Sequence, residues 1–138
     1  MKIALAQIKV RAGRPDINFQ NMLDFCRQAA KQQADLIVFP ELAMSGSFLG
    51  QAWASPGLLA EIQKFNQKLI AASSQLHEAV IVFGSIGMVK TPDGNSSPTS
   101  AIYVAQNGAQ LSSPAGSFRA KVNGQTLDFA LLTEQQSQ

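Results

Sequence analysis

The sequence predicts an α/β layered fold built on a mixed sheet. Three observations carry that prediction. The opening MKIALAQIKV and the run Leu36 to Phe39 are both apolar and strand-like, and a stretch of helical periodicity separates them, a β-α-β unit. A second helical stripe then leads into a third apolar run, AVIVFGSIG, from Ala79 to Gly87. After that the pattern changes to short strands joined by tight turns, which brings antiparallel pairs into the sheet.

In the first run Ile3, Leu5, Gln7 and Lys9 share one face, and Ala4, Ala6, Ile8 and Val10 the other. Two largely apolar faces predict a covered, central strand. Gly13, Pro15 and Asp16 form a turn with Asp16 as the expected N-cap. Phe19, Met22, Leu23, Cys26, Ala29 and Ala30 then give an amphipathic helix to about Gln33. Ser45 to Trp53 reads as loop, punctuated by Gly46 and Gly50, and Ser55-Pro56 is a cap and first-turn pair. Leu58, Ile62, Phe65, Leu69, Ala72 and Leu76 make the stripe of the second helix, with His77 at its end to favour the helix dipole. Thr91 to Thr99, rich in Pro, Gly, Asn and Ser, is a surface turn before a fourth strand, Ala101 to Ala105. Asn107-Gly108 turns into Ala109 to Leu111. Further on, Phe118 to Val122 is a short strand, Asn123-Gly124 a turn and Thr126 to Leu132 another apolar segment, with a frayed EQQSQ end.

Length and composition bound the function. At 138 residues the chain holds one domain with a real core. It is 46% hydrophobic and only 14% charged, against about 25% in ordinary globular domains, so much of its surface is expected to be covered by a partner subunit or by more of a larger domain. A net charge of +2, with no basic run and no basic-aromatic interleaving, argues against nucleic acid. One cysteine excludes a disulfide framework and a cysteine-rich metal site, and one His removes most metal and Ser-His-Asp schemes. The opening MKIALAQIKV reads as a strand and not as a signal peptide, and no apolar run approaches the roughly 18 residues of a membrane helix, so the expected compartment is the cytoplasm. Neither GxxxxGK[ST] nor a helix-opening GxGxxG occurs, and no cofactor or metal is expected.

The candidate chemistry lies in LIVFPELAMSG, Leu36 to Gly46. An apolar strand stops at Pro40 and Glu41 follows at once, placing a carboxylate at the carboxyl end of a central strand, where open α/β sheets put their crevice. Glu41 has two readings: a hydrogen-bonded turn carboxylate, or a general base tuned by partial burial. The opening strand with Gln7, the first helix, this block, Gly50 to Trp53, the second helix and the FGSI strand follow in a telling order. With the Asn95-containing turn and an NSA-like Thr99-Ser100-Ala101, they resemble the amino-terminal half of the nitrilase, or carbon–nitrogen hydrolase, superfamily. The resemblance covers roughly Met1 to Gly108, and among the branches of the superfamily it looks nearest to the glutaminase domain of glutamine-dependent NAD synthetases.

That resemblance implies a four-layer α-β-β-α sandwich, of which residues 1–138 supply one incomplete domain: a mixed sheet with two helices. It also implies carboxamide hydrolysis by a Glu-Lys-Cys triad, with ammonia fed to NAD synthesis in the synthetase branch. A thiolate attacks the carbonyl, the glutamate shuttles the proton, and the lysine stabilises the oxyanion. Glu41 matches the family glutamate, and Lys121 is the candidate lysine, although Val122-Asn123-Gly124 departs from the loop that follows the family lysine. As an alternative, Lys121 is an ordinary exposed lysine beside a turn. The only cysteine, Cys26, lies on the apolar stripe of the first helix and reads as structural. The family nucleophile belongs a few dozen residues after the lysine, beyond Gln138. Trp53 reads either as a pocket wall or as packing. The chain as given is therefore expected to be inactive alone, as part of an amidase whose small amide substrate needs a longer chain, or to be a non-catalytic assembly or binding module. A weaker alternative makes Glu41 part of an unrelated small-ligand site. Uncovered apolar surface is expected to make it a homo-oligomer or to be met by a missing carboxyl half.

Overall fold

A computed structural model of the chain describes residues 1–46, 55–111 and 117–130. Five strands form one sheet in the order β1 (Ile3–Leu5), β2 (Leu36–Val38), β3 (Val80–Lys90), β4 (Ser96–Gln106) and β5 (Ala109–Gln110). β1, β2 and β3 run parallel, whereas β4 and β5 are antiparallel to their neighbours, so the sheet is mixed as expected. Two helices, α1 (Pro15–Lys31) and α2 (Pro56–Ala72), connect the parallel strands. A separate hairpin, β6 (Phe118–Val122) with β7 (Gln125–Phe129), completes the described residues.

The helices bury their apolar stripes on one face of the sheet. Met22, Cys26 and Ala29 of α1 and Ile62, Phe65 and Leu69 of α2 pack with Ile37, Ile81, Phe83, Tyr103 and Ala105. Phe83 stacks on Tyr103 with ring centroids 5.3 Å apart. The pleat turns Leu36, Val38, Val80, Val82 and Val104 to the opposite, inner face. There Phe118, Ala120 and Val122 of the hairpin cover them. The alternation of β6, buried at every second residue, is what lets one side of the hairpin lie on the sheet.

Several elements differ from expectation for identifiable reasons. Pro15 takes the first helical position, which its fixed φ suits. Arg14 therefore occupies the N-cap, and Asp16 sits inside the first turn with its carboxylate 3.1 Å from the Arg14 guanidinium. Ser55 does cap α2, accepting from the Leu58 amide. α2 ends at Ala72, and His77 lies past a 3-10 turn (Ser73–Gln75) at a φ of 52°, so it does not cap the helix. β3 and β4 extend to Lys90 and Ser96, and the turn shrinks to the few residues held by Thr91, Asp93 and Asn95. Pro98 is tolerated because, among the described residues, β5 pairs only with Ala105 and Gln106 and leaves that part of β4 as an edge. The largest correction concerns β1. It was expected to be a covered central strand, yet among the described residues only β2 pairs with it, and Ile3 and Leu5 are 51% and 72% exposed.

Candidate active site

β2 ends because Pro40 cannot donate to a ladder, and the Phe39 amide makes the last bond of the run, 2.8 Å to the Val82 carbonyl. The chain then turns over the inner face of β3. Gly84 makes this possible: a Cβ there would lie 2.5 Å from the Leu42 nitrogen and 2.7 Å from the Glu41 Cα. No side chain fits under that turn. Leu42 adopts a φ of 52°, and the turn is tied down by the Met44 amide donating to the Gly84 carbonyl and by the Gly46 amide donating to the Leu42 carbonyl.

A second clamp comes from α1. Asn18 is fully buried; its Nδ2 donates to the Arg11 and Met44 carbonyls at 2.8 and 2.9 Å, and its Oδ1 accepts from the Arg11 amide at 2.8 Å. One side chain thus locks the loop after β1 to the loop after β2. Asn66, also fully buried, donates to the Ile86 carbonyl and accepts from Ser85 Oγ, while Gln63 donates 2.7 Å to the same carbonyl. These amides satisfy β3 where β2 has already stopped. Neither asparagine is legible in the sequence as part of a site. A polar residue in an amphipathic helix reads as a solvated face, and only the position of distant loops makes it a clamp.

Glu41 itself is exposed, so the expected partial burial is not observed. Its Oε1 accepts a hydrogen bond from Ser100 Oγ at 3.3 Å. Ser100 is the middle residue of the NSA-like segment, so two stretches 59 residues apart in sequence meet here. Among the described residues Glu41 takes part in no ion pair.

The structure does not bring Lys121 to Glu41. Gln106 Nε2 donates to the Lys121 carbonyl at 2.7 Å, so β6 docks at the last residue of β4, six positions from Ser100 and roughly 20 Å along the strand. Asn123 Nδ2 donates 3.0 Å to Asp35 Oδ1, which fixes the hairpin turn at the amino end of β2, opposite to Glu41. Lys121 is exposed on the outward side of that hairpin. Cys26 is fully buried on the helix face, and burial pushes its thiol up to about 12. His77 borders an open groove of about 840 Å³ at the same end as Lys121. Trp53 and Gly50 lie outside the described residues. Among the described residues no cluster of His, Cys, Asp and Glu could hold a metal, and no helix is long and apolar enough to cross a membrane.

These features define a class: an α/β layered protein with a clamped carboxylate at the carboxyl end of a central parallel strand. Residues 2–122 match the family model described as carbon-nitrogen hydrolase, and the chain belongs to that family. A curated relative, the glutamine-dependent NAD(+) synthetase of Acinetobacter baylyi, is 36% identical over 101 residues, 73% of this chain and 18% of the relative. An amidase from Nesterenkonia sp. shares the fold with a TM-score of 0.73 at 21% identity, over 93% of this chain and 54% of its own. A glutamine-dependent NAD+ synthetase from Acinetobacter baumannii superposes with a TM-score of 0.66 at 26% identity, over 91% of this chain and 26% of its own. The chain therefore spans about half the length of the amidase and a minor part of each synthetase.

Proposed function

We propose that this chain is the glutamate-bearing part of a carbon–nitrogen hydrolase that cleaves a carboxamide, in the manner of a glutaminase supplying ammonia. The observation that carries the reading is Glu41, held at the end of β2 by the Gly84 turn and hydrogen-bonded by Ser100, inside the stretch that matches the family. Its role is to take the proton from an attacking thiol and return it to the leaving ammonia. The thiol is not Cys26, which is buried on the other face of the sheet with its ionisation suppressed. Lys121 is not assigned the oxyanion role, because it sits at the opposite end of the inner face.

The purified chain is expected to release no ammonia from glutamine or simple carboxamides. Hydrolysis that survives Cys26→Ala would show that a nucleophile is present after all. Co-expression with a cysteine-bearing carboxyl half of a synthetase relative is expected to create amide hydrolysis that Glu41→Gln abolishes. Activity that persists in Glu41→Gln would remove Glu41 from the chemistry. A second reading, a non-catalytic assembly or binding module, is favoured by the distance of Lys121 from Glu41. It predicts that no complementing half restores hydrolysis.

A further inference from the structure

The two-residue turns at Asn107-Gly108 and Asn123-Gly124 share a sequence and a conformation but not an environment. Both residues of each turn take positive φ, 53° and 83° in the first and 51° and 77° in the second. Each turn closes an antiparallel pair, Gln106 with Ala109 and Val122 with Gln125. The Gly108 amide donates 2.8 Å to the Ser73 hydroxyl, and a Cβ on Gly108 would lie 3.2 Å from the Ser74 Cβ. That glycine is seated against the 3-10 turn that follows α2. Gly124 is exposed, with nothing within 4 Å of where a Cβ would stand, and its amide has no partner among the described residues.

We propose that Asn123-Gly124 is a site of spontaneous deamidation that releases the β6–β7 hairpin from the sheet, whereas Asn107-Gly108 is protected. In the reaction the Gly124 backbone nitrogen attacks the Asn123 side-chain carbonyl carbon. The new N–Cγ bond closes a succinimide ring, the Cγ–Nδ2 bond breaks, and ammonia leaves with the proton of the backbone amide. Water then opens the ring at either carbonyl and gives aspartate or isoaspartate. Glycine favours the attack because no Cβ shields its nitrogen. Both turns must open from the same conformation before nitrogen and carbon can meet, so that cost is common to them. The glycine amide makes the difference. Gly108 must also give up its bond to Ser73 and leave packed atoms, whereas Gly124 moves in open space.

The Asn123 side chain is itself held, by the 3.0 Å bond from its Nδ2 to Asp35 Oδ1, but both groups are exposed and water replaces that partner at little cost. The same bond gives the modification its consequence. Asp35 Oδ2 already accepts from the Lys2 amide at 2.7 Å, so conversion of Asn123 exchanges a donor for a second carboxylate facing the first. Isoaspartate also adds one main-chain carbon to a two-residue turn, which breaks the Val122–Gln125 register whatever the charge. The Met1 amino group, Lys2 and Lys31 border the same groove and offset part of the repulsion, but not the change in the backbone. This inference does not depend on the amidase reading.

Peptide mapping by mass spectrometry tests it, on the full chain incubated in mildly alkaline buffer, with the same chain unfolded in urea as the reference for each site. Relative to that reference, Asn123 is expected to convert about fivefold or more faster than Asn107, the factor that one ordinary hydrogen bond supplies. Ser73→Ala, which frees the Gly108 amide, is expected to raise the rate at Asn107 and leave that at Asn123 unchanged. The converted protein, separated by its added charge, is expected to exchange the backbone amides of β6 and β7 faster than the unconverted protein, with those from Phe39 to Ser45 unchanged. Equal relative rates at the two turns, or an Asn123 that converts only in urea, would overturn the inference. Conversion that leaves the protection of the hairpin intact would also overturn it, by separating the chemistry from any release.

Discussion

The two ends of the inner face of the sheet are held by the same strand and put to different use. At the amino end of β2, Gln106 of β4 is buried and its amide bonds two carbonyls, of Glu78 and Lys121, while Phe118, Ala120 and Val122 seal the apolar surface. At the carboxyl end, Ser100 of β4 is exposed and makes one 3.3 Å bond to a carboxylate that is itself exposed. The first end spends its polar contacts on backbone and excludes water. The second spends rigid backbone contacts under Glu41 and leaves the carboxylate open to whatever reaches it. A closed end contributes stability, and an open end presents chemistry on a stable support.

The hairpin is where the comparison breaks most easily. Phe118 is buried and stacks on Phe129 with ring centroids 4.4 Å apart, so Phe118→Ala is expected to cost about 3 kcal/mol. Urea unfolding measures that loss. Hydrogen exchange should accelerate across β6 and β7 and stay unchanged from Phe39 to Ser45. Equal acceleration at both ends would mean that they are a single cooperative unit. Gly84→Ala acts on the other end. Its methyl group would meet the backbone of Glu41 and Leu42 well inside contact distance, so about 2 kcal/mol and a displaced turn are expected. Loss of the through-space NMR contacts between Ser100 and Glu41 would report the displacement; a variant with unchanged stability and contacts would refute the tight approach.

How much of this was legible in sequence follows the same division. The β-α-β opening, the strand end at Pro40 and the Asn107-Gly108 turn depend on neighbours a few residues away, and the structure holds them. Asn18, Asn66 and Gly84 are not legible as site supports, because each ties in a segment about 20 to 40 residues distant. β1 differs from the expectation for a related reason: its composition fits a central strand, but among the described residues only β2 pairs with it, and the number of neighbours is a property of topology and not of the strand itself. Lys121 shows the converse. The resemblance implies it as the family lysine, and the Asp35–Asn123 bond holds its hairpin at the end of the sheet opposite Glu41.

The helix face, shared by both ends, supplies a pH test. Burial raises the Cys26 thiol from 9.0 to about 12, so the folded chain keeps a proton that the unfolded chain releases. That contribution is fully present below pH 9.0 and is lost as pH rises toward 12. Between pH 9 and pH 10 the unfolding free energy is expected to fall by about 1 kcal/mol more in the native chain than in Cys26→Ala. Parallel falls in the two proteins would mean that Cys26 titrates freely and is not sealed in the core.

The smallest expected effect is the most informative about the open end. Ser100→Ala removes one hydrogen bond between exposed groups, where water replaces the lost partner, so stability should change by no more than about 0.5 kcal/mol. If the bond only stabilises the fold, nothing else will change. If it orients Glu41 for proton transfer, the complemented amidase described above should lose turnover in Ser100→Ala and regain it in Ser100→Thr, which keeps the hydroxyl. A stability loss as large as that of a buried hydrogen bond would place Ser100 with Gln106 as a structural tie, and the distinction between the closed and open ends would fail at the residue that defines it.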